Sequence, residues 1–177
     1  LLDALITSKT RLKLLLKFFI NPTNTSYLRG LATEFSESTN SVRVELNRLE
    51  KADMLMSFVE GNKKLFKANT KHPLYTDIQT IVLKYVGIDA IIEKVLNNLG
   101  EVQQVFLVGD LANGTNNKTI ELLIVGEVNE EYLQSTIHKV ENTIKRSICY
   151  TIESIPLFNE HSLPVPSLKI WEDTNAN

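Results

Sequence analysis

The chain has 177 residues, 43% of them hydrophobic and 23% charged, with a formal net charge of −2. That balance suits a folded globular protein, excludes disordered and fibrous classes, and allows one or two small domains with real cores. The longest apolar stretch, near Leu14–Ile20, is broken by Lys17 and is far shorter than a membrane span, so no membrane partner is expected.

The charge is not evenly spread. Residues 1–87 carry 13 Lys and Arg against 8 Asp and Glu, whereas residues 88–177 carry 6 against 13. A basic first half (+5) joined to an acidic second half (−7) points to a polyanion met by the first half alone. Nothing near the N-terminus reads as a secretory signal, and a single cysteine, Cys149, leaves no internal disulfide framework. A reducing, cytoplasmic location is the expectation.

In chain order, Thr10–Ile20 places Leu12, Leu15, Leu16 and Phe19 at helical spacing and stops at Asn21-Pro22. Tyr27–Phe35 reads as a short helix burying Leu28, Leu31, Ala32 and Phe35. Thr39–Lys51 is a third helix with the inward stripe Val42, Leu46 and Leu49; Ser36 or Ser38 caps it. Asp53 follows where glycine would commonly take the left-handed conformation. Met54–Val59 and Lys63–Ala68, around Glu60-Gly61-Asn62, read as a β-hairpin. After His72-Pro73 a helical segment runs from Leu74 to about Leu99, with Gly87 as a kink or boundary. Beyond Gly100 come strands at Val102–Val108 and Ile120–Val125, an amphipathic helix at Glu130–Arg146, and a strand at Ile148–Ile155. Leu168–Trp171 in the proline-containing tail is read as a short docking strand.

If the stripe of Thr39–Lys51 faces inward, its other side presents Asn40, Arg43, Val44, Asn47 and Lys51. Arginine can grip guanine through O6 and N7, and asparagine can pair with adenine through N6 and N7. Thr39 and Ser41, at the start of the helix, suit phosphates, and the hairpin tip supplies Asn62, Lys63 and Lys64. Lys9, Arg11 and Lys13 are further phosphate candidates. The alternative is a solvated helix face on a protein–protein adaptor.

"TNSVRVELNRLEKADML" (residues 39–55) resembles the recognition-helix segment of ArsR-like and MarR-like bacterial regulators, with Asp53 in place of their usual glycine. "NTKHPLYTDIQTIVLKYVGID" (residues 69–89) resembles the connector of regulators that fuse such a module to a nucleotidyltransferase-like domain. The resemblance implies an α+β chain of two domains. Residues 1–73 would be a winged helix-turn-helix of three helices plus a hairpin wing, and residues 74–99 a helical connector. Residues 100–177 would be a small α/β nucleotidyltransferase-like domain with a mixed sheet. It implies a sequence-specific transcription regulator that binds double-stranded DNA as a homodimer. Metal sensing is not expected, since Cys149 is alone and His72, His138 and His161 lack ligand spacing; no cofactor is expected either.

"VFLVGDLANGTNNKTIELLIVG" (residues 105–126) resembles the phosphate-handling turn of active nucleotidyltransferases with its chemistry removed. There, a Gly-Ser turn cradles triphosphate, and two acids at alternate strand positions bind Mg²⁺. Here Gly109 and Gly114 match the glycines, but Asp110 stands for the serine, Asn113 for the common arginine and Thr119 for the first acid. Only Glu121 remains of the pair, with Glu153 as a third acid of unknown register. No catalytic residue is expected. Gly109, Asp110, Asn113, Gly114 and Glu121 are instead candidates for a pocket holding a nucleotide or another small-molecule effector. The rival reading is Mg²⁺-dependent nucleotide transfer through Glu121.

Overall fold

A computed structural model describes residues 2–95 and 100–173. The chain is α+β and divides into two compact units, Leu1–Tyr85 and Val86–Asn177. The charge asymmetry follows this division, because residues 86 and 87 are uncharged.

The first unit opens with α1 (Leu2–Leu5), which the hydrophobic pattern does not announce, and α2 (Lys9–Phe19). Ser8 caps α2 by accepting the Arg11 N–H at 3.2 Å, and Pro22 bars its continuation. The predicted stripe is too narrow for this helix: Leu14 and Phe18 are fully enclosed as well, and even Lys17 is buried. α2 is therefore the central helix of its unit, and a helix covered nearly all round loses the one-sided periodicity that marks a surface helix. Beyond its end, the buried Asn24 amide donates to the Lys17 carbonyl at 2.9 Å, satisfying one of the last-turn acceptors.

β1 (Ser26–Tyr27) leads into α3 (Leu28–Phe35) and α4 (Thr39–Lys51). Ser38, not Ser36, caps α4 by accepting the Ser41 N–H; Ser36 instead takes a left-handed conformation at the end of α3. Asp53 does stand at the left-handed position after α4 (φ 55°), where its N–H reaches the Glu50 carbonyl and that of Met54 reaches Leu49. β2 (Leu55–Glu60) and β3 (Lys63–Ala68) form the expected hairpin, and β1 adds to it antiparallel in the order β1-β3-β2. β1 is two residues long, too short for any alternation to reveal.

The segment from Leu74 is two helices, α5 (Tyr75–Val86) and α6 (Ile88–Lys94), meeting at Gly87; residues 96–99, also expected to be helical, lie outside the described residues. The unit boundary falls within this stretch, so α5 goes almost wholly with the first unit and α6 with the second.

The second unit comprises α6, β4 (Gly100–Val108), α7 (Gly109–Ala112), β5 (Thr119–Val128), α8 (Glu130–Ile144), β6 (Ser147–Glu153) and β7 (Leu168–Glu172). Among the described residues its strands form one mixed sheet in the order β6-β5-β4-β7, parallel only between β5 and β6. α8 supplies the crossover that such a parallel pair requires. Because β6 and β7 lie at opposite edges, residues 154–167 must cross β5 and β4. They do so with Phe158 and Leu163 packed on Phe106, Leu123 and Val125, the Phe158 and Phe106 rings 5.5 Å apart. Ile120, Leu122 and Ile124 are buried too, so both faces of β5 are covered and its apolar run is nearly continuous. No helix among the described residues is long and apolar enough to cross a membrane.

Candidate nucleic-acid interface

Val42, Leu46 and Leu49 hold α4 against the core, and Thr39, Asn40, Ser41, Arg43, Val44 and Asn47 are all exposed, as the 3.6-residue period demands. The hairpin stands beside this helix. A groove of about 690 Å³ lies between them, lined by Arg43, Leu46 and Asn47 of α4, by Asn62, Lys63, Lys64 and Phe66 of the hairpin, and by Tyr27, Leu28 and Arg29. Of the predicted interface residues, Arg43, Asn47, Asn62, Lys63 and Lys64 thus converge on one concave surface, whose lining contains no carboxylate. Thr39 lines a second, shallower hollow of about 410 Å³ that includes Arg29 and Glu37. Asn40 and Ser41 line neither.

Several side chains read from sequence as phosphate ligands are already engaged. Ser41 shares a hydrogen bond with Thr10 at 3.1 Å, and its N–H is taken by the Ser38 cap. Arg11 pairs with Glu45 at 2.8 Å, and Lys13 with Glu37 at 2.7 Å. These contacts tie α2 to α4 and to the turn before it, so Arg11 and Lys13 work within the fold and not as phosphate contacts. Lys64 pairs with Glu50 at 2.8 Å, which neutralises much of its charge at the groove. Lys63 lies 4.4 Å over the Tyr27 ring, and neither it nor Arg43 enters an ion pair among the described residues.

The acids that hold this frame are tuned by it. Burial raises the Glu45 carboxyl pKa, but hydrogen bonds from Arg11 and Ser8 and the charges of Arg11 and Arg48 outweigh it, leaving a value below the ordinary one. Glu37 is lowered in the same way, against burial, by hydrogen bonds from Lys13 and Thr10. A carboxyl depressed in the folded state stabilises the fold above its unfolded pKa, about 4.3 for Glu, and that stabilisation is lost as pH falls through the folded value. Urea midpoints are therefore expected to fall steeply below about pH 4.3. Glu45→Gln should lower neutral stability by about 1–3 kcal/mol and flatten that acid slope. An unchanged slope in the variant would assign the acid loss to other groups.

Arg29, Tyr27 and Phe66 belong to the groove but escaped the sequence reading. For Arg29 a signal existed: the inward set Leu28, Leu31, Ala32 and Phe35 leaves position 29 pointing outward. For Tyr27 none did, since its place depends on the β1–β3 pairing.

In the second unit the Gly109–Gly114 stretch is a short helical turn, α7, ending on Asn113, with Gly114 at φ 76°. Gly109 has φ 69°, and a side chain there would meet the Glu121 carboxylate, whose Oε1 lies 2.3 Å from the Cβ position. Glu121 is thus folded back onto the turn. Asp110 Oδ2 accepts from Asn117 Nδ2 at 2.8 Å, and Arg146 donates to the Asn117 carbonyl and to Asn116 Oδ1. The loop is cross-braced by its own polar side chains. The register of β6 is now explicit: Glu121 pairs with Cys149 and Val125 with Glu153. Glu153 shares the face of Glu121 but stands four residues further along, roughly 13 Å at the rise of a strand. One metal ion cannot bridge both carboxylates at that separation. The same face carries Phe106, Leu123 and Val125 under the 154–167 crossing.

No family model matches the chain, and no curated protein matches it. Among solved structures it is similar to AF1382 from Archaeoglobus fulgidus, at 20% identity and a TM-score of 0.38, over 51% of this chain and 96% of that one. A likeness this slight carries neither family nor activity across.

Proposed function

We propose that this chain is a sequence-specific, DNA-binding transcription regulator. Its first unit is read as a winged helix-turn-helix, with α4 as the recognition helix and the β2–β3 hairpin as the wing. The second is read as a nucleotidyltransferase-like domain that serves dimerisation or the sensing of a small-molecule effector, without catalysis. The observation that carries the reading is the groove, where Arg43 and Asn47 converge with Asn62 and Lys63 in a lining free of carboxylates. Asn40 extends the exposed face of α4 beyond the groove. Cationic side chains in a concave, partly apolar wall focus the field that attracts a polyanion.

Two further observations support it. Leu74, just before α5, and Ile81 within it are exposed apolar side chains at coiled-coil spacing with Ile78 and Tyr85, a surface suited to a second copy. In the second unit, the β5–β6 register keeps Glu153 four residues from the level of Glu121, and Asp110 is held by Asn117, which favours binding or scaffold roles over nucleotide transfer. Selection of bound sequences from a random duplex library, at stated salt, tests the reading. It is expected to enrich a motif of two-fold symmetry with half-sites about 34 Å apart, as a dimer requires. Failure to retain any duplex at low salt would favour the protein–protein adaptor instead.

A further inference from the structure

The cations of the first unit fall into two electrostatic classes. Arg11, Lys13, Lys17, Arg48 and Lys64 each lie within 3.1 Å of a glutamate carboxylate, namely Glu45, Glu37, Glu34, Glu45 and Glu50 in turn. A cation neutralised in this way adds little to the field outside the protein, and it releases few counterions from DNA unless its pair is broken. Arg29 belongs to the other class. It is exposed, lies in the first turn of α3, and has no ion pair among the described residues.

Its position distinguishes it further. Arg29 lines both the 690 Å³ groove, together with Arg43 and Lys63, and the 410 Å³ hollow beside Thr39, so it borders both concavities. Leu28, Leu46 and Phe66 contribute apolar surface to the wall of the groove. A partly apolar wall bordered by three cations from three elements, none of them in an ion pair among the described residues, matches a sugar-phosphate strand lying beside Asn47 and Asn62. Its sugars can lie on carbon while each phosphate meets a cation.

We infer that Arg29 is a phosphate-binding residue and that Arg29, Arg43 and Lys63 seat one backbone strand of a duplex in this groove, with Lys64 contributing little. The inference rests on the reading of the first unit as a DNA-binding module. It assigns a share of the sequence-independent affinity to three named side chains, one of which lies on α3 and not on the reading helix or wing.

The test is the salt dependence of binding to a labelled duplex of arbitrary sequence, followed by fluorescence anisotropy on the full chain. Each phosphate-neutralising cation contributes about 0.9 to the slope of log affinity against log salt. Arg29→Gln is expected to reduce the slope by about that amount, Arg29→Lys to keep it, and Lys64→Gln to change it by less than half as much. Circular dichroism melts should match the parent, because Arg29 is exposed. A parental slope in Arg29→Gln, or an equal loss in Lys64→Gln, overturns the assignment while leaving DNA binding intact. If the parent itself binds no duplex at the lowest salt, the DNA reading falls, and the role of Arg29 falls with it.

Discussion

Arg43→Ala is expected to lower affinity for a selected operator by about 1–3 kcal/mol, roughly 5- to 150-fold, while affinity for arbitrary duplex falls far less. The asymmetry follows from the two jobs open to this side chain. As one of several cations at the groove it contributes a fraction of the non-specific attraction, which the remaining cations largely preserve. As a planar donor fork on the exposed face of α4, one turn before Asn47, it can make a bidentate contact that alanine cannot replace. Removal should also relax sequence preference at one position of each half-site, which repeating the selection with the variant would reveal. Equal losses on operator and arbitrary duplex would confine Arg43 to phosphate binding and leave base reading to Asn40 and Asn47.

The largest expected effect on stability lies in the second unit, at Gly126. This residue sits in β5 with φ 141°, opposite Val102 where the β4–β5 register shifts between Val102 and Gln104. A Cβ there would lie 2.3 Å from the Glu101 carbonyl oxygen and 2.7 Å from the Val102 Cα. Those are backbone atoms of a paired strand and cannot swing aside as a side-chain tip can. Adding the strain of a non-glycine residue in that region, about 1–3 kcal/mol, to an overpacking cost of similar size gives a loss of about 2–6 kcal/mol for Gly126→Ala. Against the 5–15 kcal/mol that typically holds a domain together, this is a severe loss. A denaturant or thermal melt indistinguishable from the parent would show that β4 can bow away from β5.

Both predictions rest on features that were unequally visible beforehand. Arg43 and Asn47 could be named from the sequence because one strong period, Val42-Leu46-Leu49, fixes the inner face of α4 and thereby the outer one. The significance of Gly126 could not, since an isolated glycine in a strand pattern does not say which backbone approaches it. The hairpin was legible from its turn, and the β7 strand from a short apolar run, but the path of residues 154–167 across the sheet was not. That path depends on where two edges lie in space. Likewise Arg11, Lys13 and Lys64 look like any other basic residue in a charge count. Only packing α2 on α4, and the hairpin beside α4, brings Glu45, Glu37 and Glu50 within reach and removes these cations from the free set.

In the "VFLVGDLANGTNNKTIELLIVG" stretch, local rules did much of the work. They marked two strands, a turn with glycines at its ends, and the lack of a second acid beside Glu121. The tertiary structure decided the rest: Glu121 folds onto Gly109, Asp110 is bound to Asn117, and the β5–β6 register keeps Glu153 out of reach. The sequence by itself determined which residues are apolar at which period, and so the elements, their faces and the sign of charge in each half. Tertiary structure alone decided which charges cancel, which cations remain open to a ligand and which surfaces are covered. Periodicity is a property of neighbours along the chain, whereas ion pairing and burial depend on distances between residues tens of positions apart.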